Sequence, residues 1–475
     1  MSVLSRALLA LTLAVQPALA TDLPDLGEVS RQYFSDQEEQ ALGRAILRDV
    51  YADPRYLDDP EIETYLNQLG YKLVSVSTRN QREFTFFVIN DPTINAFALP
   101  GGNIGVHTGL LLTAQNESEL ASVIGHEIAH VTQDHIARMV ASQSQSYWPT
   151  MAALALALLA ARSNPNVASA AIASTQAFSM QNQLNYTRDY EREADRLGYE
   201  MLTRANFDPR SMSAFFNRMQ RASRFYDSNA PAYLRTHPLT SERIADMEAR
   251  SESAPYQQVE DSLDFQLIRA RLRAQDGSPA DAVLAARSML KEKRYSSETA
   301  ARYGLVTALL RARQFKEAES EVQKLPSENN SSPMIQLLAA QTALAAGNPA
   351  LALQRYQTGS NAHPGYPPLQ YGYISALLAT GHAGDALTRV DKQLALDPDD
   401  RRLWYLAAQT HAQLGQHLLS YRAQAEAAAL SGNLVAAIEQ ITRGLKAGDG
   451  SFYEMSAAEA RRREWQAIEK AQRKD

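Results

Sequence analysis

Apolar positions change period along the first part of the chain, and each change marks an element boundary. Leu42, Ala45, Ile46 and Val50, then Ile62, Tyr65, Leu66 and Leu69, recur every three or four residues between Glu38 and Leu73, which predicts helices with one buried face. From Glu83 to Ile89 the pattern becomes a run of β-formers, closed by Asn90, Asp91 and Pro92 as a strand and its turn would be. Asn95–Leu99 and Asn103–His107 flank Pro100, Gly101 and Gly102, which predicts a hairpin. Helical spacing returns around Ala121, Val123, Ile124, Ile128, Ala129 and Val131, with Gly125 leaving room for a close neighbour. Ala194, Leu197, Gly198 and Met201 form a second small and apolar stripe at the same spacing.

The segment from Met151 to Ala161 is apolar throughout, and Val167 to Ala177 continues rich in Ala and Ser. It is too short to span a bilayer. A buried helix, a mobile lid over a cleft, and a surface that touches membrane or client all remain open readings. Ser251 to Ser262 is polar and aperiodic, as a linker would be. Beyond it Gly347, Gly381 and Gly415 recur at intervals of 34 residues. Ala352 and Ala386 follow the first two by five positions, Pro364 and Pro398 keep the same period, and one period earlier Arg313 takes the glycine place while Ala318 keeps the alanine place. Gly277 with Ala282 fits a degenerate repeat before that. Small residues at helix crossings with this period are the tetratricopeptide pattern. The charge-dense stretch Arg461–Asp475 reads as a polar helix closing the array.

The fold class expected is therefore α+β: a mostly helical domain with a small β-sheet, followed by an all-α repeat solenoid. A chain of 475 residues suits two domains. The divisions expected are a leader at 1–20, a first domain at 21–255, a linker at 256–264 and repeats at 265–475 with a capping helix. Arg6, the apolar run Ala7–Val15 and the Ala18-Leu19-Ala20 end describe a secretory signal peptide. Formal net charge is −6, one unit more negative once Arg6 leaves with the leader, and nothing in it suggests a nucleic-acid partner. With no cysteine, a disulfide framework and thiolate metal ligands are both excluded.

Candidate chemistry begins at His126, Glu127 and His130. Residues four apart lie one turn above each other on a helix, so both imidazoles can bind one Zn²⁺ while Glu127 stands beside the open position, able to take a proton from water. A catalytic zinc needs a third protein ligand. His135 is five residues past His130, which turns it about 140° off the metal face of a continuous helix, so a surface histidine is expected there. His107, in a strand-like run before the helix, could reach the site, although a structural histidine fits it better. Glu191 and Asp195 sit one turn apart beside the stripe of Ala194 and Gly198: Glu191 can ligate the metal, and Asp195 can accept a hydrogen bond from a ligand imidazole and fix its tautomer. From spacing alone a solvated charged face fits the pair as well.

His126–His130 followed by Glu191-x-x-x-Asp195 resembles the zincin family that includes the HtpX heat-shock proteases and the CAAX prenyl proteases. Thr236, His237 and Pro238, with Arg243 six residues after the histidine, resemble that family's HP…R element. The resemblance covers about Glu38 to Arg250 and implies that the first acid of the pair, Glu191, is the third zinc ligand. It also implies that His237 either stabilises the transition state or, at rest, reaches the metal. Glu193 is an additional acid inside the third-ligand motif. With the repeat array, the resemblance narrows to periplasmic proteases of outer-membrane quality control. It then implies one Zn²⁺ per chain, and clients that are unfolded or misassembled outer-membrane proteins. It further implies that the repeats grip these clients or the beta-barrel assembly machinery. The contrasting expectation is a non-catalytic repeat scaffold or chaperone. Replacing Glu127 by Gln separates the two. The strand–hairpin region beside the zinc site is expected to hold an extended peptide by main-chain pairing, because such pairing needs no particular substrate sequence.

Overall fold

The computed structural model describes residues 35–77, 79, 81–141, 188–223, 231–253, 258–325 and 332–472. The leader and the apolar segment 151–177 lie outside the described residues, as do linker residues 254–257.

Helix α1 (Asp36–Ala52) opens on a reciprocal cap, in which Ser35 Oγ accepts from Glu38 N at 3.3 Å and Glu38 Oε2 accepts from Ser35 N at 2.9 Å. Asp59 caps α2 (Pro60–Val74), where the first-turn proline gives up a donor that would have no partner inside the helix. Ile46 and Val50 of α1, and Ile62, Tyr65, Leu66 and Leu69 of α2, are buried, as their spacing predicts.

Strands β1 (Thr85–Ile89), β2 (Ala96–Leu99) and β3 (Asn103–His107) form one sheet in the order β1-β3-β2. The hairpin is present: β2 runs antiparallel to β3 with Ala96 opposite Val106 and Leu99 opposite Asn103. Gly101 and Gly102 take φ of 78° and 77°, so the turn between them needs residues without a Cβ. The central strand is β3, paired parallel to β1. The outer side of β1 is partly covered, since Leu57 N donates to Val88 O at 3.0 Å and Asn90 N to Arg55 O at 2.7 Å. Among the described residues no strand pairs with the outer side of β2.

After α3 (Thr108–Thr113), helix α4 (Glu117–Thr132) runs through the middle of the domain with every residue from Ser118 to Thr132 buried. Asn116 caps it, accepting from Glu119 N at 2.8 Å. Helices α5 (His135–Ala141), α6 (Arg188–Arg204), α7 (Arg210–Ser223), α8 (Ala232–Thr236) and α9 (Ser241–Ser253) complete this half. Helix α6 lies against α4, and β2 packs on α4 as well. Where α4 and α6 cross, Gly198 faces Gly125 so closely that a Cβ on Gly198 would stand 3.1 Å from His126 N.

Twelve helices follow among the described residues, from α10 (Leu263–Gln275) to α21 (Phe452–Gln472). The turn glycines Gly347, Gly381 and Gly415 have φ of 82°, 80° and 71°, and Arg313, in the glycine place one period earlier, is also left-handed at 58°. Ala318, Ala352 and Ala386 are fully buried at the crossings. The closing helix starts at Phe452, earlier than its charged half suggests, because Ala458 and Trp465 are needed to cover Leu418, Ala437 and Ile441.

Apart from the cluster at its C-terminal end, the array does not build a core separate from that of the first domain. Helix α10 and helix α16 (Pro367–Ala379) pack on α2, and one apolar cluster runs from Leu66 through Phe265 to Leu338 and Leu377. Polar contacts lock this junction: Arg271 Nε reaches Asp59 Oδ2 at 2.7 Å, Arg271 Nη1 reaches Glu61 Oε2 at 2.6 Å, and Tyr303 donates to Glu61 Oε1 at 3.0 Å. Asp261 and Ser262 are pinned to the start of α4, where Glu117 N donates to Asp261 Oδ1 at 2.7 Å and Ser262 N to Glu117 Oε2 at 3.0 Å.

Candidate metal centre

Three elements bring the six predicted residues, Glu127 among them, into one buried site. Helix α4 presents His126 and His130 one turn apart, α6 presents Glu191 and Asp195 one turn apart, and His237 follows the end of α8. The small-residue crossing at Gly125 and Gly198 is what lets the two helices come close enough to join their polar turns. Pro238 keeps His237 out of helical conformation (φ −123°, ψ 79°), so its ring turns inward from a helix end.

One donor atom each from His126, His130, Glu191 and His237 lies within 4.8 Å of the others. The Nε2 atoms of His126 and His130 are 3.0 Å apart. Glu191 Oε2 is 3.5 Å from His126 Nε2, and Oε1 is 3.5 Å from His130 Nε2. His237 Nδ1 lies 3.0 Å from Glu191 Oε1 and 3.3 Å from His126 Nε2. Both oxygens of Glu127 are buried with no hydrogen-bond partner among the described residues, and the nearer one is 3.4 Å from His237 Nε2. Buried polar atoms normally have partners. Here three imidazoles and two carboxylates turn their unshared pairs into one space, an arrangement that a cation satisfies.

Asp195 stands outside that space, with Oδ1 3.0 Å from His126 Nδ1. Arg243 grips it from the other side, donating through Nε to Oδ2 at 2.6 Å and through Nη2 to Oδ1 at 2.7 Å. The same guanidinium donates to Pro238 O at 2.9 Å, and its Nη1 lies 2.7 Å from Glu191 Oε2. Arg243 thus ties the His237 segment to both acids of α6. Burial alone would lower the His126 imidazole, but Asp195 and Glu191 outweigh it and hold this group up, to about 9. At His130 burial prevails and pushes the imidazole well down. Glu191, despite burial that would raise it, is held well below the usual carboxylate range by His237 and its other imidazole neighbours.

His107 is absent from the cluster; its Nδ1 is 2.9 Å from the Thr93 hydroxyl, a structural role. His135, expected at the surface, is fully buried and lies against His130. Glu193 does not reach the cluster either; its Oε2 is 3.1 Å from His135 Nε2. Tyr233 carried no signal except its place one helical turn before His237. Its ring stacks on that of His237, with centroids 4.9 Å apart, and its hydroxyl is buried without a partner among the described residues.

The description "Peptidase family M48" fits residues 60–251, and a tetratricopeptide-repeat description fits residues 343–410. The beta-barrel assembly-enhancing protease of Escherichia coli is 32% identical over 437 residues, spanning 90% of this chain and 88% of that one. A Vibrio cholerae protein described in the same terms is 35% identical over 450 residues, 92% of both chains. The chain belongs to the beta-barrel assembly-enhancing protease family. The Schizosaccharomyces pombe mitochondrial metalloendopeptidase OMA1 is 32% identical over 228 residues, 46% of this chain and 64% of its own. That partial match is confined to under half of this chain, whereas the beta-barrel assembly-enhancing proteases match along nearly all of it. The chain is a metal-dependent endopeptidase carrying tetratricopeptide repeats.

Proposed function

We propose that the metal is a single zinc ion held by His126, His130 and Glu191, and that Glu127 and His237 act on the substrate. The observation that carries this reading is the cluster of donor atoms within 4.8 Å. Two ligand nitrogens about 2.0–2.1 Å from a tetrahedral zinc stand about 3.3 Å apart. The separations of 3.0 and 3.5 Å among His126, His130 and Glu191 support that geometry. Bound zinc supplies Lewis acidity, polarising the scissile carbonyl and making water acidic enough to attack at neutral pH. Glu127, unpartnered and buried, takes the proton of the attacking water and returns it to the leaving amine. His237 donates to the oxyanion, its ring held by Tyr233 and the next residue's carbonyl, Pro238 O, by Arg243. Asp195 keeps His126 in the tautomer that leaves Nε2 free.

The position of His237 inside the donor cluster supports a second use of the same side chain. With the metal bound, its imidazole would reach the ion at rest and exclude water until a client displaced it. The edge of β2, which pairs with no other strand among the described residues and packs on α4, holds the client as an added strand. Substrates recognised this way are extended chains of any sequence; the relatives are named for beta-barrel assembly, and in our reading the clients are unfolded or misassembled outer-membrane proteins in the periplasm. A leader at 1–20 delivers the chain there. The metallopeptidase domain runs to about residue 255, and the repeats from about 265 present clients or contact the assembly machinery. The scaffold reading rests on this array, and both can hold together.

Metal analysis and casein cleavage by the purified protein test the site. Glu127→Gln is expected to keep zinc and lower cleavage by about 10²–10⁴-fold, the range of a lost general base. His126→Ala, His130→Ala and Glu191→Ala are each expected to lose zinc. His237→Ala is expected to retain it with altered proteolysis; unchanged cleavage would assign His237 to structure. Full cleavage by Glu127→Gln would exclude Glu127 as the general base.

A further inference from the structure

We propose that His135 and Glu193 form a relay that orients His130 toward the metal, so that each zinc-binding histidine of α4 is set by a carboxylate of α6, one directly and one through a second imidazole. The inference rests on the zinc site proposed above. On a continuous helix His135 would point away from His130. The helix is not continuous. Asp134 adopts φ of 53°, a left-handed conformation that ends α4 and starts α5. Its carboxylate is buried and fixed from outside, with Arg82 Nη2 2.8 Å from Asp134 Oδ1, while Arg82 Nη1 donates to Val131 O at 2.9 Å. The reversal folds His135 back onto α4, with its ring centroid 4.9 Å from that of His130.

The proton positions along this chain follow from its end. Glu193 Oε2 accepts from Arg138 Nη1 at 2.9 Å and stands 3.1 Å from His135 Nε2. A carboxylate can only accept, so His135 carries its proton on Nε2 and turns the lone pair of Nδ1 outward. That Nδ1 is 2.8 Å from His130 Nδ1. His130 therefore donates from Nδ1, and its Nε2 keeps the lone pair that a metal requires. Tyr190 stacks on the His135 ring at 4.7 Å and 15°, which fixes the plane through which the relay passes. On the other ligand Asp195 Oδ1 stands 3.0 Å from His126 Nδ1 with no second imidazole between them. Glu193, which the motif leaves as a spare acid, is in this reading the partner of His135 and not a metal ligand.

The test measures zinc affinity by competition with a chelator, and the His130 tautomer by ¹⁵N NMR of the zinc-loaded protein. His135→Phe keeps a ring against Tyr190 and removes the acceptor; it is expected to weaken zinc about 10–100-fold. His135→Asn, whose amide oxygen can still accept from His130, is expected to recover part of that loss. Glu193→Ala, at the half-exposed end, is expected to weaken zinc by a smaller factor and to broaden or split the His130 signals. Should His135→Phe fail to fold, Glu193→Ala and His135→Asn still decide the matter. Wild-type zinc affinity with an unchanged His130 tautomer in the folded variants would overturn the relay. Equal losses in His135→Phe and His135→Asn would assign the effect to packing and overturn it too. If Glu191→Ala keeps zinc while Glu193→Ala strips it, the ligand set itself fails, which is a different result from failure of the relay alone.

Discussion

Replacing Gly198 by alanine adds a Cβ where α6 crosses α4, 3.1 Å from His126 N and 3.3 Å from both Gly125 C and His126 Cα. These are backbone atoms of a helix buried along its whole length, so they cannot turn aside. Carbon contacts settle at about 3.5–4.0 Å, and α6 must therefore retreat by a few tenths of an ångström. Two terms oppose each other in stability. Alanine is favoured over glycine inside a helix by about 0.8–1 kcal/mol, and overpacking a buried contact costs about 1–3 kcal/mol. The net change lies between nearly neutral and about 2 kcal/mol of destabilisation. The metal site is far less tolerant, because ligand distances must hold within about 0.2 Å. A retreat of α6 carries Glu191 away from His126 and His130, and zinc affinity should fall tenfold or more, about 1.4 kcal/mol per factor of ten. Gly125→Ala is the control. Its Cβ would meet nothing closer than Gly198 O at 3.5 Å, an ordinary contact. That variant should gain about 0.8–1 kcal/mol from helix propensity and bind zinc normally. Urea unfolding of chelator-treated protein reads the first quantity, and competition with a chromophoric chelator reads the second. Zinc affinity at the wild-type level in Gly198→Ala, or an equal loss in Gly125→Ala, would refute the claim that this crossing distance sets the ligand geometry.

The junction between the two halves is expected to respond to pH through Glu61. Burial lifts its carboxyl from 4.5 to about 7 even though Arg271 pulls it down. The folded state thus holds this proton more tightly than the unfolded chain, so its contribution is complete below about 4.5 and is lost as pH rises towards 7. Unfolding should become easier across that window, and Glu61→Gln should flatten the trend in urea titrations; an identical slope in the variant would exclude Glu61 as its source. Arg313 occupies a left-handed turn at φ 58° where neighbouring repeats have glycine. Arg313→Gly should raise stability by about 0.5–1 kcal/mol, read by thermal denaturation, and a lower midpoint would contradict the strain assigned to this turn.

Much of this molecule was legible along the chain because the relevant physics is local. The helical stripes of α1, α2, α4 and α6, the glycine turn of the hairpin and the 34-residue repeat each depend on residues within a few turns of one another. The arginine that substitutes for a repeat glycine even takes the glycine's backbone conformation. His126 and His130 face one way on any helix. Glu191 and Asp195 likewise share a face, although only the resemblance singled them out from an ordinary charged surface.

Other features required distant segments to meet. His135 was expected to point away because a straight helix sends it 140° round; the helix breaks at Asp134, whose carboxylate is held by arginines some fifty residues earlier in the chain. Glu193 gains its partner only through that break. Arg243 acquires its place from the Asp195 carboxylate it grips, which lies on another helix far along the chain, and Tyr233 acquires its role from the inward turn of the His237 ring it stacks on. The two expected domains share a continuous core because α2 is apolar enough to serve both, with Asp59 and Glu61 meeting Arg271 from more than two hundred residues away. The chain by itself determined which elements form and which side chains could carry chemistry, since periodicity and spacing act over single turns. Which of those side chains meet, and at what distance, was decided by how closely the helices cross.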